Sequence, residues 1–195
     1  VATFFVHAPD LYAQAALSAS VTHVHPVAID GAAVLAKAVA LVLEQPACTS
    51  FAWQPWMEEL IAFSQTHELQ KQLRMTKRLF AAGLNPKFAV DYLGCGSAVH
   101  ESLPFALYAF LYHPTSFEQC LLCAVTHGVE HAELGAMAGA IAGAYHGIAG
   151  IPQGWRTKLD NEAYLEQLAC KLAQTAATAN GNPPYFATQW MGKWN

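Results

Sequence analysis

Charge is scarce in this sequence: only 12% of its 195 residues are Asp, Glu, Lys or Arg, and no run of lysine or arginine exceeds two residues. With a net charge of -4 and a pI near 6.1, the chain has no long-range attraction to a phosphate backbone, so nucleic acid is not an expected partner. Nowhere do polar and apolar residues alternate between hairpin turns, which leaves a β-sheet without support. The longest uninterrupted apolar stretch, residues 134–145 (LGAMAGAIAGAY), is bounded by Glu133 and His146. It has about half the residues of a membrane-spanning helix, so no membrane association is expected. The five cysteines (Cys48, Cys95, Cys120, Cys123 and Cys170) are odd in number and too sparse for a secreted disulfide framework. No signal-peptide pattern is visible either, and a cytoplasmic location is expected. The chain opens on Val1 in VATFFVHAPD, which reads as the interior of a domain, so a complementary N-terminal segment is expected upstream.

What the chain has in abundance is hydrophobic residues, 54% of the total, arranged with helical periodicity. Leu165, Leu168, Ala169, Leu172, Ala173 and Ala176 recur at spacings of three and four, which places them on one stripe of a C-terminal helix starting near Asn161. Pro26 can open a helix over residues 27–44, and Asn85 with Pro86 can open another. Ser116 with Gln119 three residues later reads as a capping box before a helix over 120–127. Further helices are predicted near 10–20, 56–66, 68–81 and 100–112, with loops near 45–55 and 150–154. The fold class is therefore all-α, with one compact helical domain over residues 1–179. After it comes an irregular tail, residues 180–195 (NGNPPYFATQWMGKWN), read as a strap against the body, a disordered end or a dimer contact.

The most informative segment begins at His127. Gly135, Gly139, Gly143 and Gly147 recur every four residues, so a neighbouring backbone or a ligand can come close to one face of that helix. Each glycine costs about 1 kcal/mol against alanine in a helix, so the series needs a packing or a binding reason, and a centrally buried helix is expected. Just before it stands His127-Gly128-Val129-Glu130-His131-Ala132-Glu133. Glu130 and Glu133 there can either satisfy first-turn amides and face the positive end of the helix dipole, or serve as metal ligands.

These residues carry a resemblance. GVEHAELGAMAGAIAGAYHGIAGIPQGW resembles the C-terminal signature of the ADP-ribosyl glycohydrolase family, which includes the dinitrogenase reductase-activating glycohydrolases and the lens crystallin J1 branch. SASVTHVHPVAIDGAAVLAKAV and LGCGSAVHESLPFALYAFL resemble two further family segments in the same order, and the helix from Asn161 resembles the closing one. The resemblance implies a multi-helix orthogonal bundle that hydrolyses ADP-ribose conjugates, such as ADP-ribosylated protein, with two Mg²⁺ ions. In register, Glu130 stands at the first signature Asp, Ala132 at the second and Glu133 at the following Thr, making Glu130 and Glu133 the implied metal ligands. The family's N-terminal acidic residues would precede Val1, so a catalytic acid is not identified in this chain. The implied substrate-binding residues are His23, Gly96, Ser97 and Glu101. Cys95 replaces a usual Asn.

Alanine offers no oxygen where the family has a metal-bridging carboxylate. Two functional expectations follow: an active hydrolase, or a degenerate member acting as a structural or ADP-ribose-binding protein. A homodimer is a further expectation. A zinc reading of His127, Glu130 and His131 lacks a distant carboxylate and a continuous helix. Cys120 and Cys123 fit buried small side chains better than a metal or redox pair, and Trp53 and Trp56 fit either a surface patch or a lid.

Overall fold

The computed structural model describes residues 1–3, 10–45, 51–128 and 130–179; the C-terminal tail 180–195 discussed above lies outside them. Among these residues there are ten α-helices and no strand: α1 (Leu11–Ser20), α2 (Pro26–Leu43), α3 (Trp53–Phe63), α4 (His67–Ala81), α5 (Pro86–Leu93), α6 (Val99–Tyr112), α7 (Phe117–His127), α8 (His131–His146), α9 (Gln153–Arg156) and α10 (Glu162–Ala179), with a 3-10 turn at Ile148–Gly150. The helix starts follow the local chemistry. Pro26 and Pro86 occupy first-turn positions where no amide is missed, and His25 and Asn85 accept the orphan N–H of Val27 and Lys87. Ser116 accepts from Gln119 to start α7.

α2, α6 and α8 form the centre and run in the same direction. Near their C-terminal ends, Phe110 of α6 meets Tyr145 of α8 edge-on at 5.6 Å. Trp56 lies 5.6 Å from Phe110 while its indole N–H donates to Ala38 O of α2. At the other end Gly31 of α2 lies under Val99, the first residue of α6, so close that a Cβ there would sit 2.2 Å from a valine methyl. The starts of α2 and α6 therefore share one pole of the molecule, and α8, which runs antiparallel to α7 (Gly135 on Val125, Gly143 on Phe117) and meets the end of α6 with its own end, begins on the same side.

A buried carboxylate fixes that pole. Asp30 is fully buried in α2 and accepts from the Ser64 hydroxyl (2.8 Å), Gln65 N (3.0 Å), Thr66 N (2.8 Å), the Thr66 hydroxyl and the Tyr12 hydroxyl (3.1 Å). Those donors belong to α1, to the end of α3 and to the start of α4, whose positive dipole end the carboxylate faces. A buried charge persists only when it is this fully satisfied. Burial first, and then the adjacent Asp30 carboxylate, push the Tyr12 hydroxyl up to about 12.

Several expectations change on contact with the structure. The loop predicted over 45–55 is shorter, because α3 starts at Trp53; residues 46–50 lie outside the described set. The tryptophan pair is neither lid nor surface patch: Trp56 is core and Trp53 packs edge-on against Phe80 at 4.9 Å. The loop predicted over 150–154 gives way to α9 from Gln153. α8 is not buried all round. Gly135 and Gly139 pack on Val125 and Leu121 of α7, and Gly143 on Phe117, whereas Ala132, Ala136 and Ala140 are exposed. Gly147 is not part of that ridge; it ends α8 with φ 68°. The stripe on α10 exists but is largely uncovered, with Leu165, Leu168 and Leu172 each more than 40% exposed. α2, whose apolar run is interrupted by Asp30 and Lys37, is long and apolar enough by composition to cross a bilayer; here it packs against α1, α3, α6 and α8.

Three outcomes follow. Asp30→Asn turns an amide toward buried donors and leaves at least two N–H or O–H groups unmatched, so urea unfolding should show a loss of about 3 kcal/mol; a loss below about 0.5 kcal/mol, the range of surface changes, would contradict this role. Gly31→Ala forces Val99 aside and should cost about 1–3 kcal/mol, read as an earlier thermal midpoint. Burial pushes both Tyr12 and Tyr108 to about 12 from the usual 10, so the folded state holds these protons more tightly than the unfolded chain. Stability from this source is intact below pH 10 and declines between pH 10 and 12; ultraviolet titration of tyrosinate should show the matching late phase.

Candidate active site

The shared pole carries three connectors: 21–25 before α2, 94–98 before α6, and Gly128 and Glu130 before α8. The first turns out of the body. His23 is exposed, which rules out a core histidine; its amide donates to Ala19 O, and its Nδ1 shares a 2.7 Å hydrogen bond with the Thr22 hydroxyl. That contact fixes the ring's inner edge and leaves Nε2 facing solvent.

The second connector is held by its own helix. Glu101, the third residue of α6, reaches back and accepts from Gly96 N at 3.1 Å, a variant of the capping box in which the acid satisfies an amide ahead of the cap. Both flanking glycines are required by that clasp. Gly94 has φ 81°, and a Cβ there would lie 2.7 Å from the Glu101 side chain; a Cβ on Gly96 would lie 2.6 Å from the carboxylate oxygen. The carboxylate of Glu101 is thus engaged with its own loop. Ser97, at the tip, is exposed and its hydroxyl makes no hydrogen bond among the described residues.

The third connector is the acidic turn. Gly128 is buried because a side chain would collide with Leu134, whose methyl lies 1.8 Å from the Cβ position. His131 directs Nδ1 at Val125 O, 2.6 Å away, tying the start of α8 to the end of α7. Glu130 occupies the N-cap of α8, yet its side chain accepts no cap hydrogen bond. Neither it nor the exposed Glu133 has a hydrogen bond or ion pair among the described residues. The reading in which both acids merely satisfy first-turn amides therefore does not hold. Two unengaged carboxylates, Glu133 exposed and Glu130 half-buried, stand at the positive end of a sixteen-residue helix.

Magnesium is the cation that the sequence resemblance implies, and it takes about six oxygen ligands in near-octahedral geometry. This turn offers two carboxylates, with exposed Ala132 between them. Among the described residues no three His, Cys, Asp or Glu side chains converge as a metal-binding group. These residues do not make a complete magnesium cage. His131, turned to a carbonyl, and His127 likewise form no zinc site with Glu130. Away from the pole, burial raises the Cys120 thiol strongly and the Cys123 thiol to about 11, so both stay protonated inside α7.

The acidic turn, the glycine ridge and the clasped loop can now be set beside known proteins. The profile of the ADP-ribosylglycohydrolase family matches residues 1–182. The ADP-ribosylhydrolase ARH3 of Mus musculus is 30% identical over 188 residues, covering 84% of this chain and 51% of the mouse protein. An uncharacterized protein of Archaeoglobus fulgidus is 31% identical over 172 residues, covering 87% of this chain and 52% of its own. The ADP-ribosyl-dinitrogen reductase glycohydrolase of Rhodospirillum rubrum is 35% identical over 75 residues, covering 38% of this chain and 26% of its own. The chain spans about half the length of the ADP-ribosylhydrolases it matches, and across that span it belongs to the ADP-ribosylglycohydrolase family.

Proposed function

We propose that this chain forms the C-terminal portion of a hydrolase that cleaves the glycosidic bond of ADP-ribose conjugates, with ADP-ribosylated protein as the substrate class. The observation that carries the reading is the pair of unengaged carboxylates, Glu130 and Glu133, on the pole where α2 and α6 also begin. Three helix starts at one pole suit an anionic diphosphate, because their dipoles are positive there. His23 Nε2 and the Ser97 hydroxyl supply hydrogen bonds to phosphate or ribose, and the Glu101 clasp keeps the 94–98 loop in one shape for that contact. Glu130 and Glu133 accept from ribose hydroxyls. They are also the protein ligands that a magnesium ion at this turn would have, and the remaining ligands would come from outside the described residues. No hydrolytic step is assigned to that ion.

A second reading rests on Ala132. Its methyl occupies the place of a carboxylate that the resemblance assigns to both metals, which favours a member that binds ADP-ribose without turnover or serves as scaffold alone.

Release of ADP-ribose from an ADP-ribosylated protein, with and without Mg²⁺, separates the readings when measured for this chain and for a version extended upstream to the length of its relatives. The hydrolase reading expects Mg²⁺-dependent release by at least the extended protein and a loss of tenfold or more in Glu130→Gln/Glu133→Gln, as two charged contacts are worth roughly 1.5–3 kcal/mol each. Binding of ADP-ribose with no release from either form would replace it with the binding reading. Neither binding nor release would leave the scaffold alone.

A further inference from the structure

α7 has two working faces. Phe117, Leu121 and Val125 meet the glycine ridge of α8, whereas Gln119, Leu122 and Thr126 look the other way, into a cleft closed by the start of α5 and the end of α6. The cleft holds about 400 Å³, at the small end of ligand pockets and too little for a folded partner. None of His23, Gly96, Ser97, Glu101, Glu130 or Glu133 lines it, so it is separate from the candidate active site.

Its chemistry is consistent in one respect: no Asp, Glu, Lys or Arg lines it. Burial pushes the His113 imidazole below its usual value, which keeps it neutral at physiological pH, and the raised Cys123 thiol stays protonated. What the walls present instead is unengaged hydrogen-bonding capacity. The Gln119 side-chain amide, the Thr126 hydroxyl and the His127 ring make no hydrogen bonds among the described residues. Asn85 uses its carbonyl to cap α5 and keeps its amide protons to offer. Beside these groups stands an aromatic platform. Tyr112 stacks on Tyr108 with ring planes 18° apart and meets His113 edge-on at 5.0 Å, yet remains 37% exposed. Leu122, 46% exposed, supplies an apolar wall. His113, Cys123 and His127 do not converge as a metal-binding set, and the raised Cys123 thiol offers no thiolate.

We propose that this cleft binds a flat, uncharged, hydrogen-bonding ring system of the nucleobase type. The ring lies against Tyr112 and Leu122, and its edge is read by Gln119, Thr126 and His127. Stacking of a base on an aromatic side chain contributes roughly 1–3 kcal/mol, and the edge contacts add direction. No Lys or Arg lines the cleft to hold an anion. The inference stands independently of hydrolase activity.

Adenosine, a nucleoside without phosphate, is the probe, titrated into the full chain and followed by saturation-transfer NMR and calorimetry. Leu122→Arg places a charge in the mouth of the cleft at a residue already half in solvent, and should weaken adenosine at least tenfold with an unchanged thermal midpoint. Thr126→Val, a second variant of nearly identical shape, should weaken it roughly threefold to tenfold, the value of one hydrogen bond. Inorganic phosphate should not compete. No adenosine binding, binding that survives Leu122→Arg, or displacement by phosphate would each overturn the proposal. Each of these outcomes is read without measuring ADP-ribose release, so failure here is distinguishable from failure of the hydrolase reading.

Discussion

Asp30 sits where a carboxylate is least welcome, buried in the second turn of the apolar helix α2, and the structure answers with five donors from three other segments. In an interior where an unpaired charge costs several kcal/mol, such a group either finds every partner or is not tolerated. Its effect is geometric. Two backbone amides at the start of α4, a hydroxyl from the end of α3 and a phenol from α1 reach the same pair of oxygens together only when α2 lies at one rotation and one height. Apolar packing alone accepts many sliding arrangements of alanine-rich helices; a fully satisfied buried carboxylate accepts one.

The next residue carries that registration to the site. Gly31 lets Val99 approach to a distance that no side chain would permit, so the start of α6 is set against α2, and the Glu101 clasp sets the loop before α6. Aromatic contacts among Phe51, Trp56, Phe110 and Tyr145 hold the opposite ends of α6 and α8. The acidic turn thus inherits its place from interactions elsewhere in the molecule, while Glu130 and Glu133 themselves remain unengaged.

Much of this was legible in the sequence. Helix starts marked by Pro26, Asn85-Pro86 and Ser116 fall within a residue or three of their observed places, since capping chemistry is local. The glycine series correctly signalled close packing of α8. Periodicity does not say how many faces are covered, however, so the exposed side of α8 and the bare leucines of α10 were beyond it. Trp56 was misread because a tryptophan beside prolines gives no clue to what will pack upon it. A lone acid such as Asp30 inside PVAIDGAAVLAKAVALVL is a signal in itself: such a residue must have partners, and only the tertiary structure names them. At the candidate site the sequence pointed to Glu130, Glu133, His23 and the 94–98 loop. The inward turn of Glu101 depends on φ at Gly94 and on the fit of Gly96, neither of which a residue pattern contains.

The central claim is that the connectors before α2, α6 and α8 form one binding surface. Amide chemical-shift mapping with ADP-ribose on isotope-labelled chain tests it most directly. The account predicts that Thr22, His23, Gly96, Ser97 and Glu130 to Glu133 shift together along one saturation curve; shifts confined to one connector, or spread over surfaces remote from all three, would contradict it.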